Sequence, residues 1–334
     1  MPSLMIFALV LCVFVAGFRL GEQHEMNLLQ NTPTQAQQQL GVAMPSAQEA
    51  TSSSSTNTEQ SSKPEKFLVF AEQRTGSRFL TDLLDDHPRV RCGNEELNHP
   101  GSAVKVKDTT LDEYMDVLED TWDRLSGTAG NHNHKAEGQT AAGTAKAVGF
   151  KAMYNQGPMH YGDQLLSLLD ENDVRVIHLV RRNKLMQYIS TEANQIDKKH
   201  AAKAEAEGAH NAHPHTEEEA EKLRQITVSG KPNKVLHFMR QKTEEDARVS
   251  ELIENNVARD RFAIVQYEDL SDHTQTVTAR LFDLLGVDGE REVKTDMAKI
   301  HKDVPTRNYF KEEQREELRE ALEQSEFAWV LDGW

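Results

Sequence analysis

Cysteine is nearly absent from this sequence of 334 residues, which contains only Cys12 and Cys92. Cys12 lies in an apolar leader, so no disulfide can close within the rest of the chain, which must be held together by packing. Cys92 reads as a half-buried core thiol, with an interchain bridge as the alternative. Basic charge is also short: 38 Lys and Arg stand against 54 Asp and Glu, a net charge of −16. That balance argues against nucleic acid or an anionic membrane surface as the main partner, and a polyanionic acceptor would need a local basic patch. No Asn-x-Ser/Thr sequon occurs, so N-glycosylation is not expected. Two phosphate-binding signatures are missing as well. There is no Gly-x-x-x-x-Gly-Lys-Ser/Thr run, whose lysine would reach terminal phosphates, and no Cys-x5-Arg loop.

The apolar run at residues 4–18 spans about 15 residues, short of the roughly 20 that cross an average bilayer, although thinner endomembranes ask for less. It suits a signal anchor over residues 1–20 or a cleaved signal peptide; Val15-Ala16-Gly17 offers small residues for cleavage, and no Lys or Arg precedes the run. Either way the chain is directed into the secretory pathway. Residues 21–65 are rich in Gln, Ser, Thr and Ala and have almost no aromatics. Such a stretch buries too little apolar surface to offset its ordering entropy, so it reads as a disordered stem, a bare linker or a carrier of O-glycans. Residues 66–334 are long enough for one α/β core.

What is present is concentrated in one stretch. Phe67-Leu68-Val69-Phe70 has buried-strand length, and Phe79, Leu80, Leu83 and Leu84 then recur at helical spacing until Pro88. The period changes within Gln73-Arg74-Thr75-Gly76-Ser77. A flexible Gly76, a Ser77 placed to cap the new helix and the Arg74 guanidinium form a candidate anion cradle, because free N–H groups and the dipole at a helix N-terminus favour phosphate or sulfate. An ordinary capped βα turn has the same local sequence.

A second strand-to-helix change shifts the balance toward the cradle. Val174 to Val180 reads as a strand, and Leu185, Ile189 and Ala193 recur helically, which puts Arg182 at the strand's end and Ser190 on the helix. Ligands of open α/β sheets bind outside the carboxyl ends of strands. With Arg182-Asn183 followed by Ser190 eight positions after the Arg, the chain resembles the sulfotransferases that use 3′-phosphoadenosine 5′-phosphosulfate (PAPS). Further segments resemble the carbohydrate, Golgi-type members: Gly93-Asn94-Glu95-Glu96-Leu97-Asn98, Phe150-Lys151-Ala152-Met153-Tyr154-Asn155-Gln156, and Tyr267-Glu268-Asp269-Leu270.

The resemblance implies a P-loop-like three-layer α/β fold with a central, mainly parallel sheet flanked by helices. It implies PAPS as co-substrate, no metal, and a glycan hydroxyl as acceptor. A peptide tyrosine is the alternative acceptor, and a P-loop-like nucleotide-binding protein without sulfotransfer is the alternative class. Arg74 would hold the 5′-phosphate and the departing charge, helped by Thr75, Gly76, Ser77 and Arg78, whereas Arg182 and Ser190 would hold the 3′-phosphate. Arg307 would reach the cofactor from the C-terminal segment. Glu95, three residues before Asn98, is the candidate base and Glu96 its runner-up; Asn94 stands where the related pattern has Gly. Lys151 would lie by the bridging oxygen or acceptor, or be a strand-end surface lysine. The same resemblance favours an uncleaved type II anchor with a luminal catalytic domain in the Golgi membrane, against secretion after cleavage.

The remainder of the chain reads as framework. Residues 127–143 and 198–223 look like insertions, the second with His200, His210, His213 and His215, whose irregular spacing fits a charged loop or helix better than a metal site. Residues 262–266 read as a strand and 267–272 as its exit loop, with Asp272 capping a helix that ends at Gly286. Leu318, Leu322, Phe327, Trp329 and Leu331 predict a final helix and tail packed on the sheet.

Overall fold

Strand β1, Glu65–Ala71, is the axis of the molecule. Its side chains alternate: Phe67, Val69 and Ala71 enter one apolar cluster, and Leu68 and Phe70 enter another on the opposite face. A strand buried on both faces needs helices above and below it and parallel neighbours on both sides. The computed structural model has that arrangement in the residues it describes, 63–98, 106–127, 145–204, 226–288 and 305–334.

In chain order, β1 leads into helix α1, Ser77–Asp85, then β2, Val90–Gly93, and α2, Leu111–Ser126. Next come β3, Ala147–Ala152; α3, Pro158–Tyr161; α4, Asp163–Glu171; β4, Arg175–Val180; and α5, Lys184–Ala204. Helix α6, Pro232–Asn256, precedes β5, Phe262–Gln266, followed by α7, Tyr267–Asp272, α8, Thr274–Leu284, and α9, Glu312–Glu323. The strands lie in the order β2-β3-β1-β4-β5, and every pairing is parallel. Helices α1 and α8 cover one face through Leu80, Leu83, Leu84, Leu281 and Phe282. Helices α2, α4 and α6 cover the other through Trp122, Leu165, Leu169, Val249 and Ile253. The expected three-layer fold with a parallel sheet is the one observed.

Several local expectations change. Ser77 does not cap α1: Gly76 occupies the cap position, in the left-handed region at φ 86°, and Ser77 is the first helical residue. Residues 267–272 form α7 rather than a loop, because Leu270 is drawn into the core one turn after Tyr267. Asp272 therefore ends that helix, and His273 takes the cap of α8. The C-terminal helix and tail pack in a third cluster with α5 and α6 rather than on the sheet, and Trp329 is 49% exposed. Lys151, in β3, is buried, which removes the surface-lysine reading.

The leader at 1–20, nearly all of the stem at 21–65, and the insertions lie outside the described residues, apart from Gly127 and the backbone that α5 continues to Ala204. Among the described residues no helix is long and apolar enough to cross a membrane, and no group of three or more His, Cys, Asp or Glu could hold a metal ion.

Candidate active site

The candidate site lies at the carboxyl end of β1, where its neighbours β3 and β4 also end. Between β1 and α1 the chain turns through Arg74 at φ 63° and Gly76 at φ 86°. Holding a non-glycine residue at such a φ costs on the order of 1–2 kcal/mol, so its surroundings must fix it. They do so from three directions. Thr75 is buried and donates its hydroxyl to Glu72 O at 2.8 Å. Arg181 Nη1 donates to Arg74 O at 3.0 Å, and Gln187 Nε2 donates to Gln73 O at 2.9 Å. Above Gly76 lies the ring of Tyr267, 2.2 Å from where a Cβ would stand, so only glycine fits. The same ring carries the Arg181 guanidinium 4.8 Å from its centroid.

Two cations therefore crowd the turn. Burial, and then the neighbouring Arg181, lower the pKa of Arg74; burial lowers that of Arg181, partly offset by Tyr267 and Glu268. Arginine remains protonated in proteins, so the cost is borne as stored repulsion and lost hydration. Among the described residues neither guanidinium forms an ion pair, and the buried Nε of Arg181 has no hydrogen-bond partner. An anion would relieve both costs. The first turn of α1 adds free N–H groups at the same point.

Arg74 Nε donates to Ser190 Oγ at 2.9 Å, which joins the first loop to the helix of the second. Arg182 is directed elsewhere. Its side chain is 53% exposed and donates to Asp269 Oδ1 at 2.7 Å. Its backbone N–H and that of Asn183 bind the Glu268 carboxylate at 3.0 and 2.9 Å. Asn183 Oδ1 in turn accepts the Met186 N–H at 2.9 Å. Arg182 is thus at the expected strand end, with two acids beside it.

On the other side of the turn Lys151 is in register with Val69 of β1. Its ammonium lies 2.9 Å from Glu95 Oε1 and 3.4 Å from Ser77 Oγ. Glu95 continues outward: Asn98 Nδ2 donates to Glu95 Oε2 at 3.1 Å, and Gln156 Nε2 donates to Asn98 Oδ1 at 2.7 Å. The two neighbouring acids are separated by this geometry. Glu95 is 44% exposed and touches the Lys151 chain, whereas Glu96 is 13% exposed and pairs with Arg124 at 2.7 Å.

The structure thus gathers Arg74, Thr75, Gly76, Ser77, Ser190, Lys151 and Glu95. Arg78 is one step into α1, beside Asp82 at 3.6 Å. Arg307 is exposed in the Thr306–Tyr309 turn. Sequence reading missed Arg181, Gln187 and the roof formed by Tyr267. For Arg181 the signal was available, because strand alternation puts position 181 on the same face as Ile177 and Leu179, under α1.

No family model and no curated protein matches this chain. Among solved structures it is similar to a sulfotransferase from Alicyclobacillus acidocaldarius, at 14% identity over 81% of this chain and 96% of that one, with a TM-score of 0.41. A mouse sulfotransferase complexed with PAP gives 13% identity over 80% and 88% of the two chains, with a TM-score of 0.35. A sulfotransferase from Mycobacterium avium gives 13% identity over 81% and 77%, with a TM-score of 0.32.

Proposed function

We propose that this protein is a PAPS-dependent sulfotransferase that moves the sulfuryl group to a hydroxyl of a glycan. The observation that carries the reading is Lys151, which joins the anion cradle at Ser77 to the solvent-facing carboxylate of Glu95 within 3.4 and 2.9 Å. Proton acceptance from a hydroxyl and neutralisation of a leaving phosphate must occur close together, and one cation between them serves both.

When bound, PAPS supplies an activated sulfuryl group whose phosphate departs. Arg74, the Ser77 hydroxyl and the first-turn N–H groups of α1 form a donor set that suits the 5′-phosphosulfate, and Gly76 lets the turn pass beneath Tyr267. Ser190 and Arg182 would hold the 3′-phosphate, for which Arg182 would exchange its contacts with Asp269 and Glu268. Glu95 takes the acceptor proton, and Asn98 and Gln156 fix its orientation. An arginine at position 74, where cytosolic sulfotransferases have a lysine, favours a sugar acceptor, following the resemblance to the carbohydrate-type enzymes. The leader and stem support a type II anchor with the catalytic domain in the Golgi lumen.

The test is sulfate transfer by the full-length chain from radiolabelled PAPS to a panel of neutral glycans, charged glycans and tyrosine peptides. Labelled glycan is expected. Label on the peptides alone would replace the acceptor, and magnesium-dependent phosphoryl transfer from ATP without sulfate transfer would replace the reaction.

A further inference from the structure

Beneath the loop after β4 runs a chain of buried polar groups that the transfer chemistry leaves unused. Lys184 is 3% exposed, and its ammonium donates to Arg181 O and pairs with Asp246 of α6, itself 5% exposed. The second oxygen of that carboxylate accepts the Tyr154 hydroxyl at 2.8 Å. With this proton committed, Tyr154 Oη has to receive Nε2–H of His178 at 2.5 Å, and His178 Nδ1 accepts the Ser250 hydroxyl at 3.2 Å. That tautomer is a neutral ring, and burial, then Lys184, pushes the His178 pKa down to about 3.

Two parts of the site end on the one carboxylate. Lys184 closes the loop that carries Arg181 and Arg182. Tyr154 opens the Tyr154–Gln156 turn, in which Gln156 accepts the Met153 N–H at 2.7 Å and holds Asn98, the partner of Glu95. Helix α6 also reaches the end of β1, with Lys242 Nζ 3.5 Å from Glu72 Oε1.

We propose that Asp246 is a positioning residue that keeps the cofactor-side loop and the acceptor-side turn in register, so that anion capture at the first orders the second. What the two parts bind rests on the sulfotransferase reading; that Asp246 couples them rests on the hydrogen bonds alone. A buried ion pair is a costly way to gain stability, and an apolar pair of similar volume is often as good. Its use here fits a need for directional bonds to two segments at once.

Amide hydrogen exchange on the full chain tests this, with 3′,5′-ADP as the probe. In the wild type, adding the nucleotide should slow exchange at residues 74–78 and also at 153–157. In Lys184→Met/Asp246→Leu, chosen to keep the core filled, protection at 74–78 should persist while that at 153–157 disappears. Without nucleotide, Tyr154→Phe should speed exchange at 153–157 only, whereas Asp246→Asn should speed it at both 153–157 and 181–184, by roughly tenfold or more for a lost bond to a charged group. Unchanged protection at 153–157 in the double variant, or an Asp246→Asn effect confined to one segment, would overturn the proposal. A wild type that ignores 3′,5′-ADP would instead overturn the cofactor reading, and the nucleotide-free comparison would still decide the role of Asp246.

Discussion

Arg74 and Ser190, far apart in sequence, meet at 2.9 Å, and their hydrogen bond ties the turn after β1 to the helix after β4. The guanidinium that faces the cradle is thereby aimed by the element assigned to the other end of the nucleotide. Arg74→Ala and Ser190→Ala should each weaken 3′,5′-ADP binding, and the double variant should lose less than the sum of the two. The expected coupling is about 0.5–1.5 kcal/mol, that of one hydrogen bond, read by calorimetric titration. Strict additivity would mean that the contact contributes nothing to binding.

Glu95 and Glu96 should separate by function. A general base typically contributes about 10²–10⁴-fold in rate, so Glu95→Gln should reduce kcat by that order and leave 3′,5′-ADP affinity near wild type. Glu96→Gln should keep turnover and lower thermal stability, because it weakens the contact with Arg124 at 2.7 Å. The reverse pattern, an inactive Glu96→Gln beside a fully active Glu95→Gln, would transfer the base to Glu96.

Gly76→Ala and Gly286→Ala compare a crowded left-handed site with an open one. Both have positive φ, 86° and 67°, but a Cβ at Gly76 meets Tyr267 at 2.2 Å and one at Gly286 meets nothing within 4 Å. Each should lose about 1–2 kcal/mol for the backbone, and Gly76→Ala should lose more as Tyr267 is displaced. Melting temperatures of the two variants check this, together with an affinity for 3′,5′-ADP reduced only in Gly76→Ala.

His178 makes stability depend on pH in a defined direction. Its pKa is depressed from 6.5 to about 3 by burial and Lys184, so below pH 6.5 the unfolded chain takes up a proton that the folded chain refuses. The stability this gives is fully present above pH 6.5 and is lost progressively as pH falls toward 3. Urea unfolding at pH 7 and pH 4.5 should show a smaller decline in His178→Gln than in the wild type. An equal decline would assign the acid sensitivity to other groups.

The luminal placement proposed for the domain has its own check. Protease added to sealed microsomes carrying the full chain should leave residues 67–334 intact until detergent is added. Digestion without detergent would put the domain on the cytosolic side.

By itself the sequence determined the alternation of strand and helix, because period-2 and period-3.6 burial are local properties of the chain. It also marked the ends of β1, β3 and β4, where Arg74, Lys151 and Arg182 stand. Which side chains meet was decided by tertiary structure. The order β2-β3-β1-β4-β5 puts the ends of β3 and β4 on either side of β1, and only that adjacency brings Lys151 to Ser77 and Ser190 to Arg74. Glu95 and Glu96 are alike as letters; burial against Arg124 removes one from solvent and leaves the other facing it. Gly76, not Ser77, caps α1, and Tyr267, remote in sequence, leaves no room for a Cβ there, a contact that a local reading of Gly-Ser cannot contain. Asp246 gave no sign of its role in a polar helical sequence, since its partners Lys184 and Tyr154 come from other segments of the chain.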